Sequence, residues 1–183
     1  MNFDIDAFSH SQVYSKIWLC EELERVCWIP NPTIFVLGGW QGILSFILLS
    51  RRNIDIKHIR SFDIDPTCEL IADSINNAWV YDDWKFKAFT KDANQIDYSD
   101  RPDIVINTST EHFDKLSWFN NIPERTLVCL QGNDLNHDDH KSEYKDFKDF
   151  KSKFSFSSIL FEGEKKFKYP EINFSRYMII GIK

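Results

Sequence analysis

Residues 11–28 place Val13, Ile17, Cys20, Leu23 and Cys27 at helical intervals, with Glu21, Glu22 and Arg25 between them. The chain therefore opens on an amphipathic helix, ended by Ile29-Pro30-Asn31-Pro32. Thr33–Leu37 is a continuous apolar run rich in β-branched residues, as a strand covered on both faces requires. Gly38-Gly39-Trp40-Gln41-Gly42 follows, then a very apolar helix, Ile43–Leu49, with Arg51 and Arg52 at the end where cations offset the helix dipole. His58–Asp63 reads as a second strand, and Asp65-Pro66 opens a helix to about Asn76, with proline in a tolerated first-turn position. Trp84–Phe89 alternates aromatic residues with lysine and predicts a half-exposed strand. Asp103–Ile106 and Thr126–Leu130 are short buried strands, separated by a helix around Asp114–Phe119. Segment 137–153 is highly charged, but Tyr144, Phe147 and Phe150 recur every three residues, which predicts a solvated helix with one aromatic stripe. Ser155–Glu162 and Asn173–Ile182 predict two longer strands connected around Gly163–Tyr169.

Strand and helix thus alternate five times before two strands come together. Alternation requires crossover connections, hence a parallel sheet with helices on both faces, and the last two strands can pair as an antiparallel hairpin. The expected fold is an α/β three-layer sandwich around a mostly parallel sheet of about seven strands. Residues 1–32 form a helical extension to a Rossmann-like domain spanning 33–183.

Composition narrows the partners. The 183 residues carry a net charge of −6, without the basic field that accompanies nucleic-acid or anionic-membrane binding. No apolar stretch approaches the ~18 residues of a membrane span, and the acidic start Met1–Asp6 does not read as a secretory signal. Cys20, Cys27, Cys68 and Cys129 show no metal-like spacing and read as small buried hydrophobes in a reducing compartment. A cytoplasmic setting is expected. The six tryptophans, Trp79 and Trp84 included, are expected mostly in the core.

In an open parallel sheet, ligands bind beyond the carboxyl ends of the strands. That rule selects Gly38–Gly42, Asp63–Asp65, Asp92–Asn94, Asn107–His112 and Gln131–Asp134, each polar or glycine-rich and each following an apolar strand. Glycines between a buried strand and a helix let the backbone approach a ligand and present amides. Asp63 ends the second strand, where a ribose diol is commonly held; Asp65 fits helix capping better. Together they suggest an adenosine-type ligand. His137-Asp138-Asp139-His140 offers four N or O donors, but no further cluster has comparable spacing, and no metal is expected.

The segments Val36–Gly42 (VLGGWQG), Ser61–Pro66 (SFDIDP), Thr90–Asn94 (TKDAN) and Asp103–Phe113 (DIVINTSTEHF), with the terminal strand pair, resemble the class I S-adenosylmethionine-dependent methyltransferases. The resemblance covers roughly Thr33 to the C-terminus. It implies S-adenosylmethionine as cofactor, held by Gly38, Gly39, Trp40, Gly42, Asp63, Ile64, Asp65, Asp92, Ala93 and Asn107. Val36 stands where the family usually has an acidic residue, Trp40 replaces the middle glycine of G-x-G-x-G, and Asn107–His112 lacks the proline motif of amino methyltransferases. Glu111 and His112 are the candidate catalytic residues, because an imidazole and a carboxylate can take the proton of an attacking nucleophile. Thr108, Ser109, Gln131, Asn133 and Asp134 are expected to contact the substrate. The reaction implied is methyl transfer to a small molecule or compact protein site, with no membrane or nucleic-acid partner expected. A non-catalytic cofactor-binding module, aminocarboxypropyl transfer and a nucleotide-dependent oxidoreductase are the competing readings.

Overall fold

The computed structural model describes residues 3–170 and 172–183, so the first two residues of the 1–32 extension lie outside the description. Helix α1 (His10–Val26) precedes β1 (Thr33–Leu37), α2 (Ile43–Arg51), β2 (His58–Asp63), α3 (Pro66–Ile75), α4 (Asn77–Val80) and β3 (Phe86–Thr90). Then come β4 (Ile104–Asn107), α5 (Ser117–Asn120), β5 (Leu127–Asn133), α6 (Phe147–Ser152), β6 (Ser158–Lys168) and β7 (Asn173–Ile182). One seven-stranded sheet has the order β3-β2-β1-β4-β5-β7-β6. Strands β1 to β5 are parallel, and β7 runs antiparallel to both β5 and β6.

The apolar runs divide by the two-residue period of a strand. Ile34, Val36, Ile59, Ile104, Ile106, Cys129 and Met178 face one way, packed under Trp18, Leu19 and Leu23 of α1 and Leu44 and Leu48 of α2. Phe35, Leu37, Val105, Val128, Leu130, Tyr177 and Ile179 face the other, beneath Trp118, Phe119, Phe150 and Phe154. Helix α1 therefore contributes to the same core as β1 and α2.

Four local expectations are corrected. The helix expected around Asp114–Phe119 is reduced to the short α5. The helix expected over 137–153 is confined to α6, because the amides of Lys141 and Ser142 donate to the Glu111 carbonyl at 2.7 and 2.9 Å, and α6 begins only where the Asp146 side chain caps Asp149. Gly163–Lys168 is strand rather than connection: alternating exposed Glu164, Lys166 and Lys168 suit an edge strand, and the reversal comes at Tyr169, whose amide donates to the Ile172 carbonyl. Of the tryptophans only Trp18 and Trp118 are buried, while Trp28 and Trp84 are largely exposed. All four cysteines are free, and Cys20, Cys68 and Cys129 are buried. Among the described residues, no helix is long and apolar enough to cross a membrane.

Candidate functional site

The carboxyl ends of β1 to β5 open into a cavity of about 940 Å³. Its floor is the turn after β1. Gly38 and Gly42 have φ of +63° and +76°, the left-handed region that glycine enters without strain. Gly39 is constrained differently: a Cβ there would lie 1.9 Å from the Ser61 Oγ. Trp40 also has a positive φ, and its amide donates to Asp63 Oδ2 at 2.8 Å. The other oxygen, Oδ1, accepts from the Asp65 amide at 3.0 Å. Asp63 thus clamps the glycine turn to the end of β2.

Gly38, Gly39, Trp40, Asp63, Ile64, Asp92 and Ala93 line the cavity; Gly42, Asp65 and Asn107 do not. Gly42 instead meets α3, where a Cβ would lie 2.9 Å from that of Ala72. Asp65 caps α3, its carboxylate accepting from the amide and hydroxyl of Thr67, which holds its pKa below the usual carboxylate range. Asn107 is fully buried and accepts from the Ser109 amide at 2.9 Å. Asp92 accepts from the amide and side-chain nitrogen of Asn94 at 2.8 and 2.9 Å, which shapes the turn that carries Ala93.

Thr108, Ser109, Glu111, His112 and Asn133 line the end of the cavity beyond β4 and β5, where Glu111 and Asn133 are buried and His112 is exposed. Gln131 and Asp134 are occupied elsewhere. The Gln131 amide donates to the Ser15 carbonyl, and Asp134 accepts from the Ser175 amide and the Tyr177 hydroxyl, stapling β5 to β7. Glu111 is 2% exposed. Its Oε1 accepts from the Asn133 side chain and faces Arg176 Nη1 at 3.4 Å, while Oε2 has no partner among the described residues. Burial pushes the Glu111 carboxyl up, opposed by the Arg176 charge, and burial also lowers the pKa of His112, favouring neutral imidazole. His112 Nδ1 lies 3.3 Å from the Asp139 carbonyl.

Several lining groups were not among the residues expected at the site. Asp4, Asp6, His10 and Lys16 come from the N-terminal segment and Arg176 from β7, while His140, weighed in sequence only with its neighbours 137–139, comes from the connection before α6. Lys16 is buried, and desolvation, reinforced by Arg176, lowers its pKa to about 7. Its place on the apolar face of α1, three residues after Val13 and four before Cys20, was a legible sign. So was Arg176 within an otherwise apolar strand. Among the described residues, seven carboxylates line the cavity against three lysine or arginine side chains, so its field favours a cationic ligand.

No protein-family profile and no curated sequence matches the chain. Solved structures do. Magnesium protoporphyrin IX methyltransferase from Synechocystis PCC 6803, crystallised with S-adenosylmethionine, superposes with a TM-score of 0.70 at 14% identity, covering 99% of this chain and 85% of that one. Geranyl diphosphate methyltransferase, also with the cofactor, gives 0.69 at 8% identity over 93% of this chain and 85% of that one. A candidate RNA methyltransferase from Pyrococcus horikoshii gives 0.63 at 18% identity over 92% and 82%. The chain has the class I methyltransferase fold, with its mostly parallel sheet and terminal antiparallel hairpin.

Proposed function

We propose that the protein is an S-adenosylmethionine-dependent methyltransferase acting on a small molecule or a compact protein site. The observation that carries this reading is the convergence of Gly38, Asp63 and Asp92, from three different strand ends, on one cavity of about 940 Å³. A volume near the upper end of the ~300–1,000 Å³ range of small-molecule sites has room for an adenosyl ligand beside an acceptor. The acidic lining complements a sulfonium cation, and several structural neighbours were crystallised with this cofactor or its demethylated product.

Gly38 and Gly39 let the backbone line the floor without side chains in the way, and the Asp63 carboxylate, already oriented by two amides, faces the same space to receive a ribose diol. Ile64 offers an apolar surface to the base and Asp92 an acceptor at its edge. The cofactor supplies an electrophilic methyl group. The chain's task is then to hold an acceptor in line and to activate it. Glu111 Oε2 and the His112 imidazole are the groups beyond β4 available to take its proton. Thr108, Ser109 and Asn133 border the acceptor. The net acidity of chain and cavity argues for a small acceptor over nucleic acid, although one structural neighbour is a candidate RNA methyltransferase.

Calorimetry with S-adenosylhomocysteine tests the reading. Micromolar binding by the wild type and its loss in Asp63→Ala, with Asp63→Asn retaining part of it, is the expected result, provided melting curves show both variants folded. Equal or tighter binding of NAD would overturn it in favour of an oxidoreductase. Cofactor binding without turnover of any acceptor in a metabolite screen would leave a regulatory module, and recovery of aminocarboxypropyl products would assign the other transfer.

A further inference from the structure

The fold brings His140 beside the adjacent pair Glu111 and His112. Glu111, His112 and His140 each offer a ligand atom, and these atoms all lie within 4.8 Å of one another. The His112 and His140 rings meet edge to face with centroids 5.0 Å apart. We propose that Glu111, His112 and His140 form a site for a first-row divalent metal ion, with positions left open toward the cavity.

Four features carry this. The free oxygen of Glu111 is a buried acceptor with no donor, and such an atom costs stability unless a cation or proton satisfies it. Its other oxygen is already held by Asn133 and Arg176, which fixes the carboxylate as outer partners fix a metal ligand. His112 turns Nδ1 to the Asp139 carbonyl at 3.3 Å, which leaves its Nε2 for a ligand. A ring N–H held by a carbonyl is the usual support of a ligating histidine. Last, the seven cavity carboxylates outweigh the neighbouring Arg176 charge. Donors around a tetrahedral ion at ~2.1 Å stand ~3.3–3.4 Å apart, so side-chain rotations of about an ångström close the site.

Two imidazoles and one carboxylate with open positions suit zinc or iron(II) rather than magnesium or calcium. The expectation of no metal rested on spacing within 137–140; the structure pairs His140 instead with the turn after β4. The site stands on geometry alone, and only its role rests on the methyltransferase reading. There, the ion would bind an acceptor oxygen and lower its pKa so that its proton leaves to water; the oxygen would then take the methyl group as the sulfonium departs as a neutral thioether, with Glu111 and His112 serving as ligands in place of proton acceptors.

The test uses full-length, tag-free protein stripped with a chelator and titrated with Co(II), followed by its visible d–d absorption, with Zn(II) competition. One Co(II) per chain, displaced by Zn(II), is expected. Outer-shell changes already cost about 10–100-fold in metal affinity, so His140→Ala and Glu111→Gln should each weaken binding by at least about tenfold. His10→Ala, a cavity histidine outside the cluster, should not. Absence of Co(II) absorption in the wild type, or undiminished binding in a folded His140→Ala, overturns the proposal. S-adenosylhomocysteine binding to the metal-free protein is measured separately. Co(II) binding without it would support the metal site while refuting the methyltransferase reading.

Discussion

Gly39→Ala offers a sharp test of how the floor of the cavity is built. Gly39 has no positive φ, so an added methyl brings no backbone strain and its effect is steric. The new Cβ would lie 1.9 Å from Ser61 Oγ, 3.3 Å from Ser61 Cβ and 3.6 Å from Val36 Cγ1. The first contact is impossible, the second tight and the third ordinary. Ser61 is 3% exposed, and Gly39 is tied to β2 by its amide, which donates to the Phe62 carbonyl at 3.0 Å. Relief therefore requires moving either the hydroxyl or the turn. Overpacking of this kind costs about 1–3 kcal/mol. Taking about 2 kcal/mol, and about 2–4 °C per kcal/mol at this chain length, the melting temperature should fall by about 4–8 °C. Ser61→Ala removes only the offending oxygen, so Gly39→Ala introduced into that background should cost much less, giving a coupling of about 1–2 kcal/mol. Urea denaturation of the four proteins, each also titrated with S-adenosylhomocysteine, measures this. Strictly additive losses would show that the turn does not rest on Ser61 and would refute the close approach of the two strand ends.

Two further perturbations address the buried charges. Lys16, facing Arg176, Asp6, Glu111 and Cys20, has its pKa lowered from 10.5 to about 7. Between those values the unfolded chain binds a proton that the folded chain does not, so this group makes stability rise with pH over that window. Lys16→Met should therefore stabilise the protein at pH 7, by up to about 3–5 kcal/mol, and the gain should shrink toward pH 10; denaturation at pH 7 and pH 10 showing the same difference would contradict the assignment. Arg176→Met leaves the Glu111 carboxylate buried without its cation and should cost about 3–5 kcal/mol. Adding Glu111→Gln should recover much of that loss by denaturant titration, and no recovery would mean that the pair is not coupled.

The elements that sequence located well are those whose burial has a single period. Thr33–Leu37 coincides with β1 because a central strand buried on both faces leaves an uninterrupted apolar run bounded by Pro32 and Gly38, whereas His58–Asp63 coincides with β2 although Arg60 and Ser61 interrupt its apolar residues. The expected helix at 137–153 failed for a tertiary reason. Tyr144 and Phe150 are buried as their spacing implies, yet backbone groups at Lys141 and Ser142 find their partner in Glu111, a competition that local propensity cannot express. The strand-end rule found Gly38, Asp63 and Asp92 for the same reason that it found the sheet: parallel order forces those turns to one rim. It overreached at Gln131 and Asp134. Alternation along β5 sends the Gln131 side chain beneath α1, and Asp134 is spent on β7. Lys16 and Arg176 escaped, and His140 was weighed only with its sequence neighbours, because their approach to the cavity depends on how α1, β7 and the connection before α6 fold over the rim.

The two ends of the cavity are held by different kinds of interaction, and on the proposed function that difference predicts different effects of substitution. The turns after β1, β2 and β3 are fixed by carboxylates gripping backbone amides, Asp63 on Trp40 and Asp65, and Asp92 on Asn94, so their shape is set by main chain close to the sheet. The end beyond β4 and β5 is fixed by side chains gripping side chains: Asn133 and Arg176 on Glu111, with His112 and His140 beside it. A network of that kind adapts by substitution without disturbing the sheet, because each partner comes from a different element. Changes in the second group should consequently alter chemistry and acceptor choice while sparing binding of the adenosyl group. Changes in the first should act on cofactor affinity before turnover. The N-terminal segment joins the two ends, since Asp6 and Lys16 line the same cavity as Asp63 and Glu111.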